Sequence, residues 1–234
     1  MRRGAAAESL DESLAALEEV ARRARPVALA REQVLPVLEP LRTLLPEGLR
    51  RGSIVGVEAS TSLALALVAG PSAAGSWLAV AGMSSLGLAA AAELGVDLER
   101  LVVVADPPAA RWPAVVATLV DAFDVVLVRS GHHLRAGDAR RLTARLRERG
   151  AVLVVAGEWP DVPDVSLSVV RATWHGIGDG HGHLRAREVV VEASGRRGAA
   201  RPRRAPLWLP AAGGGVAPVD RLADVHAFRE HRTA

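Results

Sequence analysis

Short apolar runs alternate with helical segments through the middle of this 234-residue chain, and this alternation limits the folds it can adopt. Each run is nearly continuous in Val, Leu, Ile or Ala, which is typical of strands buried on both faces of a parallel sheet. The predicted strands are 53–57, 76–81, 101–105, 124–128 and 151–156. Helical patterns lie between them at 61–69, 84–95, 108–122 and 135–149. The sequence therefore predicts an α/β fold with three layers around a mostly parallel sheet.

The pattern changes after Pro163, where strand follows strand without an intervening helix. Predicted strands at 165–174, 184–193 and 206–209 alternate in polarity and are separated by glycine-rich turns. Such strands are typical of antiparallel pairing, so we expect them at one edge of the same sheet. We assign residues 45–210 to one domain.

Both ends of the chain differ in composition from this domain. Residues 1–44 combine a helical pattern at 8–24 with a proline-rich connector. Residues 211–234 begin with a flexible, Gly-rich linker at 213–215, and the tail ends in a predicted short helix at 219–231. Their apolar side chains are candidate contacts for a protein partner: Leu10, Leu14, Leu17, Val219, Leu222 and Phe228. Either helix can instead pack against the chain's own core.

Composition excludes several kinds of chemistry. The chain has no cysteine and no lysine, so all 29 of its basic residues are arginine and its net charge is +3. Disulfides, thiolate nucleophiles, cysteine-ligated zinc and a phosphate-binding lysine are therefore ruled out. No apolar run reaches the roughly 18 residues that a membrane span needs. We predict a cytoplasmic protein with no cofactor.

The stretch GSIVGVEASTSLALAL, from Gly52 to Leu67, has the strand, turn and helix of a phosphate-binding loop. Such a loop needs glycines that let backbone N–H groups surround the phosphates, a lysine, and a hydroxyl for Mg²⁺. The turn Glu58-Ala59-Ser60-Thr61-Ser62 has neither the glycine nor the lysine. One of its hydroxyls can still bind magnesium, but the simpler interpretation is that Ser60 or Thr61 caps the helix.

Several segments, taken in order, resemble the RecA-like fold between Leu45 and Pro210. LPEGLRRGSIVGVE resembles the entry to the phosphate-loop strand, ELGVDLERLVVV the approach to the third strand, and FDVVLVRS the Walker B strand. SLSVVRATW and EVVVEASGRRGAARPRRAPLWLP are similar to the terminal antiparallel ladder. More narrowly, the chain resembles the ImuA-type accessory proteins of the actinobacterial damage-inducible mutasome.

This resemblance implies a degenerate nucleotide site. The Walker B aspartate position holds Arg129, and the position of the activating glutamate holds Met83. With Glu58, Ser60, Thr61 and Ser62, these two residues form the degenerate site that we expect. No ATP hydrolysis is expected, and the chain is predicted not to be an enzyme.

The implied role is a scaffold for error-prone translesion synthesis, and hence mutagenesis, within the SOS response to DNA damage. The chain would link an ImuB-like Y-family polymerase homologue, and through it an error-prone DnaE-type polymerase, to DNA. Cells would hold it in the cytoplasm, associated with the nucleoid after damage. Two alternatives stay open: an SOS-type cell-division inhibitor with the same degenerate fold, and a nucleotide-binding switch ATPase.

Arginines supply the candidate DNA-binding surface. Five of them fall within nine residues without an acid, and two more alternate on the preceding strand and so share one face. The set is Arg185, Arg187, Arg196, Arg197, Arg201, Arg203 and Arg204. The alternative is a solvated basic loop. Where recombinases carry their two DNA-gripping loops, this chain has SGHHLRAGD and the acidic GEWPDVPD, which argues against filament-type binding.

Histidines raise two further possibilities, both disfavoured. His175, His181 and His183 lie with Asp179 in HGIGDGHGH, but the glycines indicate an exposed turn, so we predict no metal site. A hydrolase built from Ser130, His133 and Asp138 lacks the G-x-S-x-G turn that such enzymes use.

Overall fold

The structure is a computed structural model, and it describes residues 34–129, 134–178, 181–196 and 201–219. The predicted helix at 8–24, with Leu10, Leu14 and Leu17, lies outside the described residues, as do Leu222 and Phe228. Val219 is the last described residue and is partly exposed.

Eleven strands and four α-helices make up the described part of the chain. The strands are β1 (Val34–Leu35), β2 (Leu49–Arg50), β3 (Ile54–Glu58), β4 (Leu78–Ala81), β5 (Leu101–Val104), β6 (Val125–Val128), β7 (Val152–Ala156), β8 (Val165–Gly178), β9 (His181–Gly195), β10 (Arg203–Trp208) and β11 (Ala217–Pro218). The helices are α1 (Thr61–Ala73), α2 (Leu88–Glu93), α3 (Trp112–Ala122) and α4 (Ala136–Arg149).

Nine strands form one sheet in the order β11-β10-β9-β8-β3-β7-β6-β4-β5. The six strands from β8 to β5 are parallel. Strands β9, β10 and β11 continue the sheet in antiparallel pairing at the β8 side. The predicted α/β class, with a mostly parallel sheet and antiparallel strands at one edge, is confirmed. β1 and β2 form a separate two-stranded ladder.

Apolar side chains cover both faces of the parallel strands, which explains their near-continuous hydrophobic sequences. On one face, Val55 and Val57 of β3 belong to the cluster that contains α1. On the other face, Ile54 belongs to the cluster that contains α3 and part of α4. Since successive side chains of a strand point to opposite faces, the five strands β3 to β7 contribute to both clusters, whereas β8 contributes to the first cluster alone.

Helix α1 is buried on all sides, and it extends beyond the predicted 61–69. Every residue from Leu63 to Ser72 is buried, because the segment that follows β1 crosses the helix on the side away from the sheet. A Cβ on Gly70 would lie 2.7 Å from the Cα of Val37, so only glycine permits this crossing. The helix continues through Pro71 to Ala73, since packing here outweighs the hydrogen bond that proline removes.

The antiparallel strands also exceed their predicted lengths. β8 and β9 extend through most of the glycine- and histidine-rich segment that the sequence indicated as a turn. β10 begins three residues before the predicted 206, so Arg203 and Arg204 lie on a strand. The glycine segment 213–215, expected to be flexible, instead lies in a turn in which Ala211 N–H donates to the Gly215 carbonyl at 3.1 Å. β11 then pairs with β10.

Candidate functional site

The turn after β3 lies at the carboxyl ends of the parallel strands, where α/β proteins bind ligands. Glu58 ends β3 and is exposed. Ala59 follows with a φ of 49°, the one non-glycine residue with positive φ in the described part of the chain. A left-handed conformation is what a glycine of a phosphate loop would adopt without strain. The backbone thus keeps part of that shape, although the left-handed conformation of Ala59 costs about 1–2 kcal/mol in steric strain.

Ser60 is the N-cap of α1. Its Oγ accepts a hydrogen bond from Leu63 N–H at 3.3 Å and lies 3.3 Å from Ser62 Oγ. The side chain is only 7% exposed. The predicted capping role is confirmed for Ser60, and its oxygen is engaged inside the protein. Thr61 is the first helical residue.

Arg129 reaches this helix from the end of β6. Its Nη2 donates to Thr61 Oγ1 at 2.6 Å, and its backbone N–H donates to the Ala81 carbonyl at 3.0 Å. Gly82 is required beside it, because a Cβ there would lie 2.5 Å from the Arg129 carbonyl oxygen. A guanidinium therefore contacts one of the three hydroxyls that the sequence offers for Mg²⁺, at the end of the strand expected to correspond to Walker B.

Met83 is buried in the core. It is 2% exposed and belongs to the same apolar cluster as Leu63 and Leu67 of α1. A thioether there adds packing and cannot polarise a water molecule. The structure therefore brings Ser60, Thr61, Ser62 and Arg129 together, leaves Glu58 at the surface, and buries Met83 in the core.

Of the seven predicted DNA-binding arginines, the six that the structure describes do not form one surface. Arg197 lies outside the described residues. Arg204 ion-pairs with Glu192 at 2.5 Å, and Arg201 is exposed between β9 and β10. Arg196 and Arg203 line a cavity of about 520 Å³ at the amino ends of β3 and β8, the edge opposite the degenerate nucleotide site.

Three further arginines line this cavity: Arg50 from β2, its neighbour Arg51, and Arg147 from α4. Sequence reasoning singled out neither Arg50 nor Arg147 as a binding residue. The two are close because Gly52 lies against α4, where an added Cβ would be 3.1 Å from the Arg147 Cα. Neither arginine has an ion-pair partner among the residues that the structure describes. We name Arg50, Arg147, Arg196 and Arg203 the edge arginines.

Several charged groups at this edge, the edge arginine Arg196 among them, have ion-pair partners or hydrogen-bond to the backbone. Arg51 donates to Asp124 at 2.9 Å, in a pair whose side chains are 24% and 10% exposed. Arg196 lies 3.5 Å from Asp161. Asp164 accepts a hydrogen bond from Ile54 N–H at 2.9 Å, and Glu47 completes the acidic lining of the cavity. The edge arginines thus exceed the two carboxylates that line the cavity.

Arg185 and Arg187 lie far from the edge arginines, on the distal half of β9. Ala193 pairs with Arg203, and Arg187 is six positions before Ala193, which places it about 20 Å away along the strand. The Arg187 guanidinium carbon is 5.7 Å from the centroid of the Trp174 ring. The six described arginines of the predicted cluster are therefore divided between two ends of the antiparallel strands.

The histidine segment is mostly strand, and one histidine packs against a tryptophan. The His175 and Trp208 rings meet edge to face with centroids 5.0 Å apart, and His175 Nε2 lies 3.7 Å from a Glu188 oxygen. No group of three or more metal-ligating side chains occurs within the described residues. Asp179 and the His181 side chain lie outside them, as do Ser130 and His133.

Comparison with known proteins places this geometry in context. Residues 43–161 match the family model described as "MT3502 N-terminal domain". The chain is 37% identical over 143 residues to the uncharacterized protein Rv3395c of Mycobacterium tuberculosis, an alignment that covers 59% of this chain and 70% of the relative. Its fold is similar to the crystal structure of the RadB recombinase, with a TM-score of 0.54, 14% identity, and coverage of 78% of this chain and 97% of RadB.

The RadB likeness supports the fold and, at this identity, nothing finer. It confirms the RecA-like expectation drawn from the order of the sequence segments. In the described part of the chain, no helix is both long and apolar enough to cross a bilayer.

Proposed function

The chain belongs to the MT3502 N-terminal domain family, and we propose that it is a non-catalytic RecA-like accessory protein of error-prone translesion DNA synthesis. In this proposal it acts in the SOS response to DNA damage. It links an ImuB-like Y-family polymerase homologue, and through it an error-prone DnaE-type polymerase, to DNA. It acts in the cytoplasm and joins the nucleoid after damage.

The hydrogen bond from Arg129 to Thr61 is the observation that carries the non-catalytic part of the proposal. Phosphoryl transfer relies on Mg²⁺ to neutralise the charge that develops between the β- and γ-phosphates. A guanidinium where the metal ligand belongs repels Mg²⁺, and its partner Thr61 is one of the three hydroxyl residues of the turn available to the metal. The chain also lacks any lysine for the phosphates.

The edge arginines support contact with DNA. Arginine binds phosphate oxygens through two parallel N–H bonds, and several such contacts hold a backbone without reading its sequence. The edge arginines converge from four separate segments on one cavity, which a solvated loop would not require. We therefore assign DNA contact to this edge instead of to the loop between β9 and β10 alone.

A genetic experiment tests the role. We expect deletion of the gene to abolish damage-induced mutation and a plasmid copy to restore it. Purified full-length chain should also capture the ImuB-like homologue. Intact induced mutagenesis in the deletion strain would refute the role, and arrest of septation on overexpression without DNA binding would favour the cell-division inhibitor.

A further inference from the structure

Strands β8 and β9 extend beyond the rest of the sheet as a two-stranded ribbon. β3 pairs with β8 only from Val165 to Ser168. On the other side, β10 pairs with β9 from Ala193 to Glu188. The residues that follow β10 make backbone hydrogen bonds to β9 no further along than Arg187. We name residues 170–178 and 181–187 the distal arm.

The β8 edge of the distal arm has unpaired backbone groups. No strand among the described residues lies beside it past Ser168 on the side where β3 ends. The pairing of β8 with β9 is irregular near Val170 and near Gly176. Between these two points, from Arg171 to His175, the pairing is regular. A regular, open edge accepts an added strand, whose main-chain hydrogen bonds supply affinity.

Exposed apolar side chains concentrate on the same arm. Eight large apolar side chains are exposed in the described part of the chain, and four of them lie here. They are Val170 at 49%, Trp174 at 50%, Ile177 at 60% and Leu184 at 49% exposure. Such a concentration marks an interaction site.

The arm is basic as well as apolar. Arg171, Arg185 and Arg187 lie on its described residues, which include no acid. Arg187 Nε is buried without a hydrogen-bond partner beside the Trp174 ring. At its base, a depression of about 340 Å³ is lined by Val170, Val190 and Pro206 between Arg171 and Arg204. This arrangement offers an apolar anchor site next to guanidinium groups.

We propose that the distal arm binds an extended acidic segment of a protein partner, which adds a strand along the β8 edge. Apolar side chains of that segment cover Trp174 and fill the depression at the base, while its carboxylates meet the arginines. The inference rests on the proposed function only for the partner used in the test, the ImuB-like homologue.

Several observations favour a protein segment over a single-stranded nucleic acid. Bases stack on aromatic faces, whereas three of the four exposed apolar side chains are aliphatic. One face of Trp174 is already occupied by Arg187. The unpaired N–H and C=O groups of an open strand edge form regular hydrogen bonds with another peptide strand.

Matched substitutions test the surface. Affinity of the full-length chain for the ImuB-like homologue is measured by calorimetry for I177E, L184E and V162E. Val162 is 58% exposed and lies outside the arm, so V162E controls for an added charge at an equally exposed position. We expect I177E and L184E each to weaken binding by about tenfold or more, as hot-spot substitutions do, and V162E to leave it unchanged.

The absence of cysteine allows a second readout. A single cysteine in T173C, labelled with a photocrosslinker, should crosslink to an acidic segment of the partner, whereas the same label in V162C should not. If wild type captures the partner and I177E binds equally well, the inference fails and the proposed function stands. If wild type does not capture it, both fail.

Two other outcomes overturn the inference alone. One is a T173C crosslink to another segment of the same chain in the absence of partner. The other is loss of oligonucleotide binding in I177E with partner binding intact. Partner binding that weakens with added salt, and weakens in R185E, supports the acidic character of the bound segment.

Discussion

Arg129 Nη2 donates a 2.6 Å hydrogen bond to Thr61 Oγ1 and so joins the end of β6 to the first turn of α1. Strand β7 lies between β6 and β3 in the sheet, so the side chain spans the carboxyl edge of a neighbouring strand. In a nucleotide-hydrolysing relative of this fold, a bound magnesium ion would connect the same two elements. Here the protein connects them directly.

This bond should contribute to stability. Hydrogen bonds that involve a charged group contribute about 1.5–3 kcal/mol, so R129A should lower the free energy of unfolding by an amount in the lower part of this range. T61V should cost a similar amount, and the double variant should cost less than the sum. Urea denaturation measures all three. Fully additive losses would show that the two side chains act independently.

Ala59 should be replaceable with a gain in stability. Its φ of 49° is strained for alanine and free for glycine, so A59G should raise the free energy of unfolding by about 1 kcal/mol. The control is A144G in the exposed interior of α4, which should lower it by about 1 kcal/mol. Thermal and urea unfolding of both variants give the comparison, and a destabilised A59G would contradict the assigned backbone conformation.

The pair of Arg51 with Asp124 should be the costliest ion pair to break. Asp124 is 8% exposed and also accepts a bond from Trp77 N–H at 3.4 Å, so D124A leaves a largely buried guanidinium without its partner. We expect a loss of about 3 kcal/mol by urea denaturation. D138A removes the partly exposed partner of Arg141, whose own side chain is 84% exposed, and should cost under about 0.5 kcal/mol. Equal losses of stability in D124A and D138A would contradict the expectation that the more buried ion pair contributes more.

The edge arginines should bind DNA through its phosphates. We expect R50A and R147A each to weaken oligonucleotide binding uniformly across sequences and to reduce the salt slope by about one. R141A removes the same charge from α4, where Arg141 is exposed and outside the cavity, and should have little effect. Fluorescence anisotropy at several salt concentrations separates these cases. Equal effects of all three would indicate only long-range attraction.

The layered fold was predictable because strands that are buried on both faces have nearly continuous apolar sequences. The runs that became β3, β4, β6 and β7 are mainly apolar, and their predicted bounds hold within two residues. Ser60 was identifiable as a cap because capping is a local interaction. The end of α1 was not, since Gly70 and Pro71 usually stop a helix and only the crossing segment at Val37 makes their presence favourable.

Contacts between distant parts of the chain were beyond single-sequence reasoning. Arg129 and Thr61 are 68 positions apart, and the sequence showed the loss of an aspartate without showing what the arginine contacts. Arg50 and Arg147 line the same cavity because Gly52 lies against α4. The arginine-rich segment looked continuous in sequence, yet strand pairing and side-chain alternation place Arg203 at the cavity and Arg204 beside Glu192.

Titration of Mg-ATP into the full-length chain, followed by thermal unfolding, tests the central claim most directly. A ligand that binds the native state at 100 times its Kd stabilises it by about 2.7 kcal/mol, so functional binding would raise the Tm by several degrees. We predict no shift at millimolar Mg-ATP and no phosphate release. A saturable rise in Tm that R129A strengthens or abolishes would show that the site between Thr61 and Arg129 still binds nucleotide, and would contradict this account.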